Sequence, residues 1–223
     1  VATIRRTGEL LQIDQATLEL PDSAFSVQGS VQRISQVAGD DLTIHISGQT
    51  VEKFRKLLHI PGIATGPFDL TATLHPADSG DDTLELTAKT TLLDLSARGQ
   101  LGAYPEFLGT RLSVTVSGTN FTPWARLAGL SNGPSGAFTG QGQIEWTAPG
   151  VVLQAAVLSV GDDTLNLDGL IGTTADLNGD LRIGLQGKSL ATVASFVGWS
   201  GLPAQSYKIA GRVQRQSGRS RLD

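Results

Sequence analysis

Three segments of this chain align with one another without a gap. They begin at Gly48, Gly118 and Gly187, so the repeat has a period of about 70 residues. A second glycine series recurs with the same period, at Gly29, Gly99 and Gly169. A repeat of this period indicates that each unit is one supersecondary structure that stacks against its neighbours. The strands and helices of one unit must therefore be able to pack against those of the next unit.

Each unit combines strand patterns with one short helical pattern. The strands that precede the aligned segments read "LTIHIS", "LSVTVS" and "LRIGLQ", and apolar residues occupy every second position, as in half-buried β-strands. Short turn signals, at Pro21-Asp22-Ser23 and Gly161-Asp162-Asp163, predict β-hairpins. Another strand follows the helical pattern, as in "GPFDLTATL" from Gly66 to Leu74.

The helical patterns predict short helices near residues 51–59, 121–130 and 190–199. In the first copy four apolar residues fall on one helical stripe: Val51, Phe54, Leu57 and Leu58. In the second copy we expect Thr122 to be the N-cap and Pro123 the first helical residue. Because isolated helices of this length are marginally stable in water, each must lie on the sheet.

These patterns predict a mainly β fold, an elongated and curved antiparallel sheet that forms a β-groove. We expect about three repeats of about 70 residues, each with about four strands and one short helix. The approximate repeat units are 9–75, 80–145 and 150–215, within a single elongated domain that covers residues 1–223. Since the chain contains no methionine and starts abruptly at "VATIRR", we expect it to be a fragment of a longer protein.

Alternation along each strand gathers the apolar side chains on one face of the sheet. The candidate lining of that face consists of Leu42, Ile44, Ile46, Leu70, Leu74, Leu112, Val114, Val116, Ile144, Leu181, Ile183 and Leu185. Three short helices are too few to cover a sheet of about twelve strands. Either the sheet folds on itself into a closed core, or an apolar channel stays open to a ligand.

Composition and motifs argue against catalysis, metal binding and nucleic-acid binding. A net charge of −4 without a block of like charge does not suit a phosphate-backbone binder. The absence of cysteine excludes thiol catalysis and zinc–thiolate sites, and His45, His59 and His75 lack metal-ligand spacing. "GLSNG" matches the G-x-S-x-G pattern, but the helix precedes Ser131 and a strand follows it, the reverse of a hydrolase elbow. We therefore expect no enzyme activity, no cofactor and no metal.

Several features of the repeat resemble the AsmA-like family of Gram-negative bacteria. They are the Ser-Gly pair that ends a strand, the short apolar helix, the "GPF" that opens the next strand, and "GDDTLNLDGLIG". The resemblance covers residues 9–215 and rests on pattern, without an invariant chemical motif. Members of that family are similar to bridge-like lipid transfer proteins, with long curved β-sheets that carry an apolar groove.

The resemblance implies a periplasmic module for lipid transport and outer-membrane maintenance, which shields phospholipid acyl chains without catalysis. It implies phospholipid or another acyl lipid as the ligand, and further repeats of the same chain and envelope proteins as partners. It also implies an inner-membrane anchor in the full-length protein, outside this sequence. The alternative is a structural or adhesive β-repeat scaffold whose apolar faces form a closed core.

Overall fold

The computed structural model describes residues 2–8, 10–31, 41–50, 66–76, 82–102, 106–127, 133–172, 179–196, 199–216 and 219–222. The chain divides into two compact units, Val1–Val114 and Thr115–Asp223. The division falls inside one strand, Arg111–Gly118, so that each unit contains half of it.

In the first unit the strands lie side by side in chain order, and neighbours pair in antiparallel orientation. They are β1 (Ala2–Thr7), β2 (Leu10–Leu20), β3 (Ser23–Val31), β4 (Asp41–Gly48), β5 (Phe68–Pro76), β6 (Asp82–Thr90), β7 (Asp94–Leu101) and the first half of β8 (Arg111–Gly118).

The second unit follows the same rule and also contains two short helices. Its elements are the second half of β8, α1 (Thr122–Leu127), β9 (Phe138–Thr147), β10 (Gly150–Val160), β11 (Asp163–Gly172), β12 (Gly179–Gly187), α2 (Leu190–Phe196), β13 (Tyr207–Gln216) and β14 (Arg219–Leu222).

Strand is the dominant structure in both units, which confirms the predicted mainly β, antiparallel fold. Both predicted hairpin turns are confirmed, since Pro21–Asp22 connects β2 to β3 and Gly161–Asp162 connects β10 to β11. The turn between β6 and β7 was not among the predictions. There the Thr90 hydroxyl oxygen accepts hydrogen bonds from the N–H groups of Leu92 and Leu93.

Helix α2 departs from the prediction at its C-terminal end and helix α1 in its cap, while residues 128–130 of the second predicted helix lie outside the described residues. The first predicted helix, 51–59, lies outside the described residues, and the other two are six and seven residues long. Helix α2 does not reach Trp199 as predicted, because the Trp199 N–H bonds back to the Ala194 carbonyl at 2.9 Å and closes the helix. The predicted cap is also wrong: helix α1 already includes Thr122, whose N–H donates to the Asn120 side chain at 3.0 Å.

The repeated glycines occupy positions that no other residue fits. Gly29, Gly99 and Gly169 have φ angles of 131°, 157° and 128°, which side chains rarely adopt. A Cβ at each position would lie 2.0 to 2.1 Å from a carbonyl oxygen of the adjacent strand, that of Asp41, Arg111 or Asp180. This close approach of two backbones explains why glycine recurs at this point of the repeat.

Strands β2 and β10 carry β-bulges at equivalent positions. The register of β2 against β3 shifts between Ile13 and Ala16, and that of β10 against β11 shifts between Leu153 and Ala156. The two bulges are separated by two full repeat periods. A bulge bends its strand and increases the local twist, so both strands turn where they face a repeated glycine.

Candidate apolar binding face

The register of the first unit joins its apolar side chains into three rows that run across the strands. Cross-strand partners in an antiparallel sheet lie on the same face. The first row is Leu18, Phe25, Ile46, Leu70, Ala88 and Leu95. The second row is Ala16, Val27, Ile44, Ala72, Leu86 and Ala97. The third row is Ile13, Gly29, Leu42, Leu74, Leu84 and Gly99.

Strand β8 adds two residues to these rows. Gly99 approaches Leu112 in the same way that Gly29 approaches its partner Leu42. Leu112 therefore extends the third row, and Val114, two positions further along the strand, extends the second.

The second unit has an equivalent apolar face. Its first row is Gly140, Leu158, Leu165, Leu185 and Ile209. Its second row is Ala156, Leu167, Ile183 and Gly211, and its third is Ile144, Leu153, Gly169, Leu181 and Val213. A shorter fourth row consists of Trp146, Val151 and Ile171. Val116 belongs to the same face, since a Cβ on Gly140 would lie 2.7 Å from its side chain.

All twelve sequence-predicted residues thus lie on the apolar face of their own unit. Seven belong to the first unit and five, from Val116 onward, to the second. The sequence prediction missed the contribution of strands β2, β3, β6, β7, β10, β11 and β13, including Leu84, Leu86, Leu165 and Leu167. The alternation in "DTLELTA" and "DTLNLDG" carries the signal that could have found them.

The opposite face of each sheet is largely polar. In the first unit one row reads Ser26, His45, Thr71, Thr87 and Ser96. Ion pairs cross this face, such as His45 with Asp69 at 2.8 Å and Arg98 with Glu85 at 3.1 Å. Each sheet therefore has one face suited to water and one that is not.

The long aliphatic side chains of the apolar face are not fully buried. All twelve predicted residues have intermediate exposure. Within the described part of the chain, the buried apolar residues are Ala97, Ala125, Phe138, Val160 and Ala194. Leu18 is 55% exposed and Ile209 is 49% exposed. In a closed sandwich, leucine and isoleucine would dominate the buried set, because such residues are the most often fully buried.

The two helices pack at one end of the strands. The rings of Phe121 and Trp124 meet that of Phe138 edge-on, with centroid separations of 5.3 and 6.3 Å. Ala125 of α1 is 1% exposed, and Ala194 takes the equivalent place in α2. Small residues at this position let each helix approach the sheet closely. The aromatic contacts thus place helix α1 against the strand end where Phe138 begins β9.

Glycine and aromatic residues form a repeated pair at the same strand ends. Gly48 pairs with Phe68, and Gly187 pairs with Tyr207, across neighbouring strands. A Cβ on Gly48 would lie 2.6 Å from the Phe68 ring, and one on Gly187 would lie 2.8 Å from the Tyr207 ring. The aromatic ring therefore fills the space above the glycine, which gives a physical reason for both repeated positions.

Among the residues that the structure describes, two ionisable groups have shifted pKa values. The Tyr207 hydroxyl donates to the Asp163 carboxylate at 2.9 Å, and burial, then this bond, raises the pKa of Tyr207 well above its ordinary value. On the polar face, the Arg212 guanidinium donates two hydrogen bonds to Asp180 and lowers the pKa of that carboxyl. Gln214 also donates to Asp180 at 3.4 Å. Burial and the bond to Asp163 thus account for the shift at Tyr207, and the contacts with Arg212 and Gln214 account for the shift at Asp180.

The described histidines each lie beside a surface carboxylate and do not come together in a site. His45 bonds to Asp69 and His75 lies 3.4 Å from Asp41, while His59 and Ser131 lie outside the described residues. Across the described ranges, no three His, Cys, Asp or Glu side chains come close enough together to hold a metal ion. Neither described helix has the length and hydropathy needed to span a bilayer.

No family model, curated protein or solved structure matches this chain.

Proposed function

We propose that this chain is a non-catalytic lipid-binding module, whose apolar sheet face shields the acyl chains of phospholipid or a related lipid. The observation that supports the proposal most directly is the partial exposure of leucine and isoleucine along rows that cross neighbouring strands of a unit. An acyl chain is an unbranched hydrocarbon that needs apolar contact and no specific polar partner. The described rows offer such contact, since they consist of apolar residues and glycine.

The energy scale favours this type of ligand. Each methylene moved from water to an apolar surface contributes about 0.8 kcal/mol, so an acyl chain of about 15 methylenes gains on the order of 12 kcal/mol when fully covered. An open sheet face covers one side of the chain and recovers part of that amount. The exposed apolar surface of the protein is removed from water at the same time, which adds to the gain.

Small residues interrupt the rows of the first unit. The middle row combines Ala16, Ala72 and Ala97 with larger residues such as Ile44 and Leu86. Rows on the same face are two residues apart along each strand, about 6.6 Å. The alanines therefore lower the face at separate points between larger side chains, and part of an acyl chain can pack at each of these points.

The proposed setting follows the resemblance to the AsmA-like family. We place the module in the periplasm of a Gram-negative envelope, within a longer chain that is anchored to the inner membrane. Further repeats and other envelope proteins would be its partners, and its role would be lipid transport and outer-membrane maintenance.

The test is Val114→Asp, which places a carboxylate in the middle row of the first unit. A charge on an apolar path is unfavourable by several kcal/mol unless water reaches it or it takes up a proton. We expect bound lipid, measured by extraction and mass spectrometry, to fall several-fold while the thermal melt changes little. Val114 is partly exposed, so water can hydrate the new group in the lipid-free protein.

The matched control is Ser113→Asp, at the adjacent and exposed position on the other face of the same strand. It should retain lipid. A collapsed melt for Val114→Asp alone would identify the face as a closed core and support a structural scaffold. Equal lipid retention by both variants would contradict lipid binding at this face.

A further inference from the structure

The segment from Trp199 to Ser206 is exposed at every position. Trp199 is 68% exposed, the largest value among the exposed large apolar residues that the structure describes, and Leu202 is 38% exposed. The segment reads "WSGLPAQS" and contains no charged residue. Two large apolar side chains thus project from an uncharged loop that contributes to none of the rows of the apolar face.

The loop is held in place by backbone hydrogen bonds to helix α2. The Trp199 N–H donates to Ala194, and Ala191 and Leu190 donate to the carbonyls of Pro203 and Gln205 at 3.2 and 2.9 Å. Between the two apolar residues the chain bends at Gly201, whose φ is +85°. The backbone of the loop is therefore already ordered before binding, so binding through Trp199 and Leu202 has a small entropic cost.

We infer that this loop docks on a phospholipid bilayer, with Trp199 and Leu202 inserted at the level of the head groups. Tryptophan favours that level because its ring is apolar and its indole N–H can still find a polar partner. The size of the patch supports a membrane over a protein partner. Two side chains supply at most about a few hundred Å², whereas a stable protein interface buries about 800 Å² on each partner.

The charges beside the loop indicate which bilayers it accepts. Lys188 pairs with Asp162 at 2.7 Å. Lys208 and Asp163 lie at the same strand ends. The two positive charges therefore equal the two negative charges in number. These four groups supply no net charge to attract or repel lipid head groups. Docking should therefore depend on apolar insertion and vary little with the anionic lipid content of the bilayer.

The test is flotation of the purified chain with vesicles of phosphatidylcholine, alone and mixed with phosphatidylglycerol. We expect Trp199→Ser to reduce the bound fraction on the order of tenfold on both vesicles, and Leu202→Ser to reduce it to a smaller extent. Trp199 is 68% exposed and Leu202 is 38% exposed, so a thermal melt of each variant checks that the fold is retained. The matched control is Leu108→Ser, which removes a leucine that is 39% exposed and lies outside the rows of the apolar face, and this variant should float as wild type does.

This inference is separate from the proposed function, and one set of variants distinguishes them. Trp199→Ser should keep its extracted lipid while it loses flotation, and Val114→Asp should do the reverse. A wild-type chain that does not float, or a Trp199→Ser variant that floats as well as wild type, would overturn membrane docking. Flotation that rises steeply with phosphatidylglycerol and is insensitive to Trp199 would also overturn it and point to an electrostatic contact instead.

Discussion

The substitution Gly169→Ala tests whether the repeated glycines hold the sheet together as their geometry requires. At φ 128° an alanine occupies a backbone region that costs about 1–3 kcal/mol. Its Cβ would also lie 2.1 Å from the Asp180 carbonyl oxygen, a backbone atom that moves only if strand β12 moves. We therefore expect a loss of about 3 kcal/mol, at the upper end of that range. For a chain of this size, such a loss lowers the melting temperature by about 6–12 °C.

Gly184→Ala is the matched control, on the adjacent strand β12 of the same unit. A Cβ there would meet Asn166 at 3.6 Å, an ordinary van der Waals contact. Replacing a glycine in a compatible conformation stabilises a protein by about 0.4–1 kcal/mol, because it restricts the unfolded chain. The assay is a pair of thermal melts followed by circular dichroism at constant concentration. If the two variants melt together, the close backbone approach at Gly169 does not produce the expected strain.

Two further predictions concern pH. Because Arg212 lowers the pKa of Asp180, this pair stabilises the fold above the ordinary aspartate pKa, and its contribution is lost as pH falls through the folded-state pKa. Arg212→Gln should therefore shift acid unfolding, followed by circular dichroism, to higher pH. An unchanged midpoint of acid unfolding would contradict this prediction. Tyr207 has a raised pKa, so its contribution is present below about pH 10 and is lost as pH rises through the folded-state value. Tyr207→Phe should remove a late tyrosinate step from the ultraviolet titration, and persistence of that step would assign it elsewhere.

The sequence was sufficient for the fold class because alternation and turn chemistry act locally. Alternation in "LTIHIS" fixes which side chains share a face, and Gly161–Asp162 connects strands that reverse direction. These signals need no knowledge of the rest of the chain. The helix ends were less predictable, since Asn120 and the Trp199 N–H act through single hydrogen bonds that several nearby residues could have formed.

The candidate face was predictable as a set of residues but not in its extent. Period-two patterns identified Ile44 and Val114, yet the rows exist only because pairing brings Ala72 and Ala97 beside them. The bulge at Ala155, whose φ is 50°, has no clear sequence signal and resets which later residues face the same side. The solvent exposure of the face is even harder to predict from sequence. A sequence pattern shows that a face is apolar, but it does not show which other part of the protein covers it.

The chain-order arrangement of strands also has a consequence for synthesis. Every described strand pairs with its neighbours in sequence, and the most distant partners in the second unit, Gly179 and Arg215, are only about half a repeat period apart. The entropic cost of loop closure is small for such local pairs. A strand near the start of the chain can therefore pair before the strands near the end have been synthesised. The chain can therefore fold vectorially, hairpin by hairpin, as it leaves a ribosome or a translocation channel. At each stage the edge of the newest strand is unpaired only until the next strand is added, which limits the time during which that edge can join another chain.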